Sequence, residues 1–216
     1  RRPPRLSPQM LEMLQRFCPF FNRLSPGEKI VFEGRVALFR MGTDWTPLSW
    51  PDDAPLPPDV ELALASQAVS LTFNKYTFLF KRFEKVIVYP KQFPTPEHPY
   101  LHSSELYEPD GCLIFSAENL MHGFFSAGKV YHVGLHEYAK AYLLEYPNES
   151  WPTWDAETVW ETLEKISNLS REHIETTVGL AGLEPLPIMI HHFFIYRESF
   201  KTHAPEWFET LRFVFD

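Results

Sequence analysis

Prolines divide this chain into short segments and so limit what it can fold into. The 216 residues include 20 prolines, nearly twice the usual share, and they cluster at residues 3–8, 47–58 and 90–99. Because proline fixes φ and cannot donate a backbone hydrogen bond, these clusters predict loops and element boundaries. The segments between them predict short helices and strands within a single domain that covers residues 1–216.

The composition argues against several classes of protein. Hydrophobic residues make up 44% of the chain and aromatic residues 16%, which is enough to build a buried core. The net charge is −8 at pH 7, so nucleic acid is not the expected partner, because phosphate binding needs a basic surface. Cys18 and Cys112 are too few for a disulfide framework, and no run of 18 apolar residues predicts a membrane span.

Apolar spacing and helix caps predict a helix-rich α+β fold with a small sheet. The segment Ser25-Pro26-Gly27-Glu28 has the form of a helix start, with Ser25 as N-cap and Glu28 at the capping-box position. Short apolar runs at 85–89 and 111–116 predict two buried strands. The other predicted helices cover residues 9–22 with a break at Pro19, 59–74, a short helix that begins at Ser116, 129–145, 155–168, 170–178, 186–198 and 204–215.

The predicted helix at 129–145 carries the residues with the clearest chemistry. It contains His136-Glu137-Tyr138-Ala139-Lys140, whereas the helix of a zinc peptidase has the pattern H-E-x-x-H. In that pattern two histidines one turn apart hold the metal, and the glutamate beside the first activates the bound water. Lys140 stands in place of the second histidine, so the motif alone is a weak signal and also fits an ordinary amphipathic helix.

Six segments, in order, resemble the metallopeptidase family of Mlc titration factor A, a group of bacterial zinc-dependent peptidases. They are residues 24–28, 67–73, 83–90, 113–116, 134–139 and 191–207. Their order and spacing are more specific than any one of them alone. The resemblance implies a zincin-like metallopeptidase fold, in which a small β-sheet packs on the active-site helix at 129–145 and the C-terminal half is mostly helical.

The resemblance also implies roles for single residues. The first zinc histidine corresponds to His136, and the general-base glutamate corresponds to Glu137. The second zinc histidine corresponds to Lys140, and the third ligand, a glutamate in the family, corresponds to His191. The segment 172–190 also lacks the tyrosine that assists the transition state in the family. Because two of three ligand positions have changed type, we expect bound zinc to be weak or absent.

Two of the three hypotheses for this site do not involve a metal. In one, the Lys140 ammonium takes the place of zinc and pairs with Glu137 at i,i+3, so that the protein is a pseudopeptidase with a binding or regulatory role. In another, the chain is a non-enzymatic helical interaction module, and tryptophans such as Trp45 and Trp50 form its binding surface. A peptide or protein bound in the cleft is the expected partner.

The remaining hypothesis is an active metal-dependent hydrolase with a rebuilt zinc site. His132 lies four residues before His136, which is a chelating distance if both belong to one helix, and His191 and His192 come from another helix. Three imidazoles, from His132, His136 and His191, would hold zinc and leave one coordination position open, with His192 elsewhere in the cleft. The family resemblance also implies that His136 and His191 approach each other across two helices.

The N-terminal residues 1–8 are basic and rich in proline, and they predict a linker. A basic run that follows a membrane anchor fits the positive-inside rule, so we expect an anchor upstream of Arg1. A plain basic terminus is the alternative. The expected location is the cytoplasm, with a tether to the inner membrane if the anchor is present.

Overall fold

A mixed four-stranded β-sheet is the core of the computed structural model, which describes residues 5–216. Its strands are β1 (Asp44–Pro47), β2 (Lys85–Tyr89), β3 (Ser104–Tyr107) and β4 (Cys112–Ser116). The order across the sheet is β1-β2-β4-β3. β1, β2 and β4 run parallel, and β3 lies antiparallel to β4 at one edge. The two predicted strands are therefore present as β2 and β4, whereas β1 and β3 were not predicted.

Eleven α-helices within residues 5–216 supply most of the remaining structure. They are α1 (Pro8–Phe17), α2 (Pro19–Arg23), α3 (Pro26–Gly42), α4 (Pro58–Thr72), α5 (Ala117–Phe125), α6 (Val133–Glu145), α7 (Val159–Ser167), α8 (Arg171–Val178), α9 (Pro185–Ile195), α10 (Arg197–His203) and α11 (Pro205–Phe215). A short 3-10 turn covers Pro51–Asp53. The predicted α+β class, with a small sheet and a mostly helical C-terminal half, is confirmed.

The capping box predicted at the start of α3 is present. The Ser25 hydroxyl accepts a hydrogen bond from the backbone N–H of Glu28, and the Glu28 carboxylate accepts one from the backbone N–H of Ser25 at 2.8 Å. Each group satisfies a donor that the first turn of a helix leaves free. Because both hydrogen bonds join residues only three apart in the sequence, the helix begins where the sequence predicts.

The predicted helix at 129–145 begins four residues late, and this correction affects the site. Ala127 and Gly128 have φ values of 53° and 84°, so the chain turns after α5 and cannot continue as a right-handed helix. α6 starts only at Val133, and His132 is its N-cap with an extended backbone. His132 therefore does not lie within the helix one turn before His136, as the rebuilt zinc site assumed.

The predicted helix at 186–198 is also divided. Tyr196 leaves the helical region, with φ −114° and ψ 43°, and separates α9 from α10. Its hydroxyl donates to the backbone carbonyl of Gly128 at 2.6 Å, which connects this break to the turn before α6. The hydrogen bond between Tyr196 and Gly128 therefore joins the two places where the predicted helix boundaries are wrong.

The range predicted for an N-terminal linker, residues 1–8, overlaps the start of the first helix. Residues 1–4 lie outside the described residues, as does the segment expected upstream of Arg1. Pro8 already begins α1, and Ser7 is its N-cap, since the Ser7 hydroxyl accepts from the backbone N–H of Met10 at 3.3 Å. Within residues 5–216, each helix is too short or too polar to serve as a membrane span.

Three central helices and the sheet edge hold the candidate site. α6 packs against α4, α9 and β3. α4 and α9 are buried over nearly their whole length, as is typical of helices inside a large core. α6 is buried from Val133 to Tyr142 except at Lys140, which is partly exposed. The polar side chains of His136 and Glu137 therefore lie in this interior.

Candidate functional site

His136 lies in the first turn of α6 and is hydrogen-bonded to Tyr131, a residue that no sequence pattern indicates. The Tyr131 hydroxyl and His136 Nδ1 are 2.7 Å apart, and both side chains are buried. Burial lowers the pKa of His136 to about 4, so the imidazole is neutral at pH 7. Burial also raises the pKa of Tyr131 well above its ordinary value, so the phenol keeps its proton. His136 Nε2 has no hydrogen-bond partner within residues 5–216.

Glu137, the next residue, is fully buried and both of its carboxylate oxygens are in contact with donors. The Ser104 hydroxyl on β3 donates to Oε1 at 2.9 Å, and the Lys140 ammonium is 2.7 Å from Oε2. Burial raises the pKa of Glu137, but the charge of the nearby Lys140 and the hydrogen bond from Ser104 outweigh it and lower the pKa overall. The i,i+3 pair that the sequence predicts is thus present, with Glu137 ionised.

His191 on α9 approaches the start of α6 through its ring nitrogens. Its Nε2 accepts a hydrogen bond from the backbone N–H of His132 at 3.0 Å. In a neutral ring the proton is then on Nδ1, which lies 2.9 Å from Nδ1 of His192 and donates to it. Burial lowers the pKa of His191 well below its ordinary value, and that of His192 to about 3.

The expected approach of His136 and His191 is mediated by Tyr131. The Tyr131 ring lies against the His191 ring, with centroids 4.0 Å apart, and against the His136 ring, with centroids 5.5 Å apart. The aromatic ring between them is in contact with both imidazoles, which come from helices far apart in the sequence. The structure therefore brings these two residues into one cluster.

A cleft of about 490 Å³ opens beside this cluster. Its walls are mostly apolar, and its polar side chains are His136, Lys140 and Glu184. The apolar wall consists of Leu106, Leu143, Leu144, Trp154, Leu183, Leu186 and Pro187. A concave apolar site with a few polar groups is typical of a binding site for a small molecule or for peptide side chains.

The two tryptophans that the hypothesis of an interaction module names do not form a free binding surface. Trp45 and Trp50 are partly buried against the core. Their indole N–H groups donate at 2.8 Å to the backbone carbonyls of Arg40 and Val88. Trp154 is different, because it is 37% exposed and lies in the cleft wall.

The family described as glucose-regulated metallo-peptidase M90 matches residues 1–142. The chain belongs to this family. The match covers two thirds of the chain, and it includes His136, Glu137 and Lys140. The resemblance to the Mlc titration factor A metallopeptidases is thereby confirmed. No curated protein matches the chain.

M90 membership suggests zinc, but the donors at this site do not fit the ion. Lys140 presents a cation at the second-ligand position. Both ring nitrogens of His191 are engaged in hydrogen bonds. The ligand atoms of His132, His136 and His191 also do not all lie within 4.8 Å of one another. The M90 match ends before His191, so the assignment of the third-ligand position to that residue stays a prediction.

The sequence does not indicate two residues of the candidate site, because no local pattern marks them. Tyr131 lies in the turn before α6, and Ser104 lies in the unpredicted strand β3. Each gains its role only through a contact that folding creates. The one available signal was weak: Tyr131 precedes His136 by five residues and belongs to a segment rich in aromatic residues.

Proposed function

We propose that this M90 protein is a pseudopeptidase with a zincin-like fold, in which the Lys140 ammonium replaces the metal and the cleft binds a peptide or protein partner. The observation that carries the proposal is the 2.7 Å contact between Lys140 Nζ and Glu137 Oε2. The residue expected to be the general base is therefore held by a cation instead of facing a metal-bound water.

Electrostatics support the replacement. A divalent ion about 4 Å from a protonated lysine is repelled by about 2 to 8 kcal/mol, for effective dielectric constants from 80 to 20. Each ~1.4 kcal/mol lowers affinity tenfold, so zinc binding falls by well over tenfold. A general base must also be free to reach a proton and have a pKa near the working pH. The pKa of Glu137 is lowered, which is the wrong direction for that role.

The cleft supports a binding role for an extended, apolar segment. Leu106 lines the cleft and belongs to β3, which is one of the two edge strands of the sheet. An extended peptide can pair with an edge strand through its backbone and place alternate side chains in neighbouring pockets. The partly exposed Trp154 and the leucines of the cleft would take the apolar side chains, while Lys140 and Glu184 supply charge at the rim.

Substituting Lys140 tests the proposal directly. Lys140→His removes the cation, frees Glu137 and places a second imidazole four residues after His136. We expect calorimetric titration to show that the variant binds zinc in the cleft at least tenfold more tightly than the parent does. Lys165→His is the matched control, because Lys165 also pairs with a glutamate of its own helix but is exposed. Equal zinc binding by the parent and Lys140→His would contradict the proposal.

One observation favours the alternative of a rebuilt zinc site. Nε2 of His132 and Nε2 of His136 are buried without hydrogen-bond partners among residues 5–216, and a metal ion would satisfy such nitrogens. The alternative predicts that the parent binds one zinc ion that His136→Gln abolishes, and that it hydrolyses peptides when loaded. The pseudopeptidase predicts neither result, so the same titration separates the two.

A further inference from the structure

A second group of metal-ligating side chains lies where the segment that joins β2 to β3 packs against the start of β3. Glu97, His98 and Glu105 each present a ligand atom, and these three atoms lie within 4.8 Å of one another. Glu97 is exposed and His98 half-buried, whereas Glu105 is 3% exposed. We propose that these three residues bind a divalent transition-metal ion with the chemistry of zinc, at a site separate from the cleft.

The buried carboxylate of Glu105 is oriented as a metal ligand. Its Oε2 accepts from Thr95 Oγ1 at 2.7 Å and faces His102 Nε2 at 2.9 Å. His102 is held in turn, because its Nδ1 lies 2.9 Å from the carbonyl oxygen of Tyr100. All the side-chain hydrogen bonds that the structure gives this carboxylate fall on Oε2, which leaves Oε1 for a ligand. Outer hydrogen bonds of this kind orient the carboxylates that bind metals.

The other two ligands lie on a tight turn that is tied to the same carboxylate. The backbone N–H of Thr95 donates to the carbonyl of His98 at 2.9 Å, and the N–H of His98 donates to Thr95 Oγ1 at 3.1 Å. Pro96, between them, restricts φ and favours the turn. The Thr95 hydroxyl thus connects the turn that carries Glu97 and His98 to Glu105. Much of the ordering that metal binding requires is already present in the fold.

The donor set favours zinc over calcium or magnesium. One imidazole and two carboxylates give three protein ligands, which leaves a fourth position for water in a tetrahedral site. Calcium prefers six to eight oxygen ligands, and magnesium prefers octahedral oxygen coordination with retained waters. Zinc–ligand bonds of about 2.0–2.2 Å require ligand atoms roughly 3–4 Å apart. The exposed Glu97 side chain is free to rotate and close the remaining gap.

A metal ion here would act on the cleft through β3. Ser104 and Glu105 are adjacent in that strand, so their side chains point to opposite faces. Ser104 donates to Glu137 on the α6 side, while Glu105 faces the loop on the other side. The ion would fasten the loop to the strand that forms the edge of the cleft.

Zinc titration of the full chain tests this site. Calorimetry should show one zinc ion bound at this site by the wild-type protein. At a free zinc concentration 100 times Kd, the midpoint of thermal unfolding should rise by about 5–10 °C, and calcium and magnesium should give no comparable shift. His98→Gln should weaken this binding at least tenfold and remove most of the thermal shift. His173→Gln, at an exposed histidine of α8, is the matched control and should change neither quantity.

His136→Gln separates this site from the cleft, because it should leave the binding intact. Three results would each overturn the proposal: no zinc binding by the wild type, equal affinity in His98→Gln, or loss of the binding in His136→Gln. The His98→Gln variant and the double variant His98→Gln/Lys140→His both lack the site in the loop. Comparing their zinc affinities therefore measures zinc binding in the cleft alone. The failure of this proposal and the failure of the proposed pseudopeptidase are then distinguishable.

Discussion

The Glu137 carboxylate is fully buried, and its stability in the ionised form depends on Lys140. The two side chains are 2.7 Å apart, and Lys140 is 32% exposed. Removing one partner of a buried ion pair costs about 3–5 kcal/mol. Because water reaches Lys140, we expect a smaller loss, about 2 kcal/mol of the free energy of unfolding at pH 7 for Lys140→Met. Urea denaturation of both proteins measures the difference.

Lys140→Met should also reverse the way in which the contribution of Glu137 to stability depends on pH. In the parent, the lowered pKa of Glu137 adds stability above the unfolded pKa, and this stability is lost as the pH falls through the folded pKa. In Lys140→Met, burial dominates and raises the pKa, so the folded state takes up the proton first. The deficit of the variant should therefore narrow between pH 7 and pH 5. Lys165→Met is the control at an exposed pair, and a deficit equal at both pH values would contradict this account.

At the scale of elements, α5 passes very close to the turn that leads into α6. A Cβ atom on Gly123 would lie 2.8 Å from the carbonyl oxygen of Tyr131 and 3.2 Å from Cα of His132. Both atoms belong to the backbone and cannot rotate away. We expect Gly123→Ala to lower the free energy of unfolding by about 1–3 kcal/mol, although alanine favours a helix by about 1 kcal/mol.

A second glycine provides the control for that contact. Gly27 lies in the first turn of α3, and nothing is within 4 Å of the position of its Cβ. Gly27→Ala should therefore be neutral or should stabilise the protein by up to ~1 kcal/mol. Urea denaturation of both variants provides the comparison. If Gly123→Ala is as stable as Gly27→Ala, the close approach of α5 to the turn does not constrain the site.

The elements that the sequence predicts correctly are those with a local cause. The capping box at Ser25 fixes the start of α3, and the apolar run at 85–89 gives β2. The strands β1 and β3 are four residues long and partly polar, and they form only because a neighbouring strand pairs with them. The start of α6 depends on Ala127 at positive φ, a conformation that alanine rarely adopts and its sequence does not signal.

The same distinction separates the residues of the site. His136, Glu137 and Lys140 were found because helical spacing relates them within one element. Tyr131 and Ser104 reach the site from a turn and from a strand edge. The Glu97, His98 and Glu105 group depends on a loop that folds back on β3, so its spacing in the sequence has no period that a motif could express.

At the scale of the whole molecule, four buried histidines couple the core to pH. His132, His136, His191 and His192 are each at most 3% exposed. Burial lowers the pKa of His132 and His136 to about 4, that of His192 to about 3, and that of His191 well below its ordinary value. The unfolded chain binds protons near pH 6.5, whereas the folded protein does not. Stability is therefore fully present above pH 6.5 and is lost as the pH falls below it.

We expect the free energy of unfolding to fall by about 5 kcal/mol between pH 7 and pH 5.5, where carboxyl groups of ordinary pKa titrate little. Urea denaturation at pH 7, 6 and 5.5 measures the slope. His132→Leu should reduce the fall in the free energy of unfolding by about one quarter, because it removes one of the four histidines that take up a proton on unfolding. Nε2 of His132 has no hydrogen-bond partner among residues 5–216, so its replacement by leucine leaves no other group without a partner at that atom. His173→Gln, at an exposed position, should leave the slope unchanged. A fall of less than half the expected size in the parent would show that the core accepts protons without unfolding, and that the four histidines are not held neutral by burial.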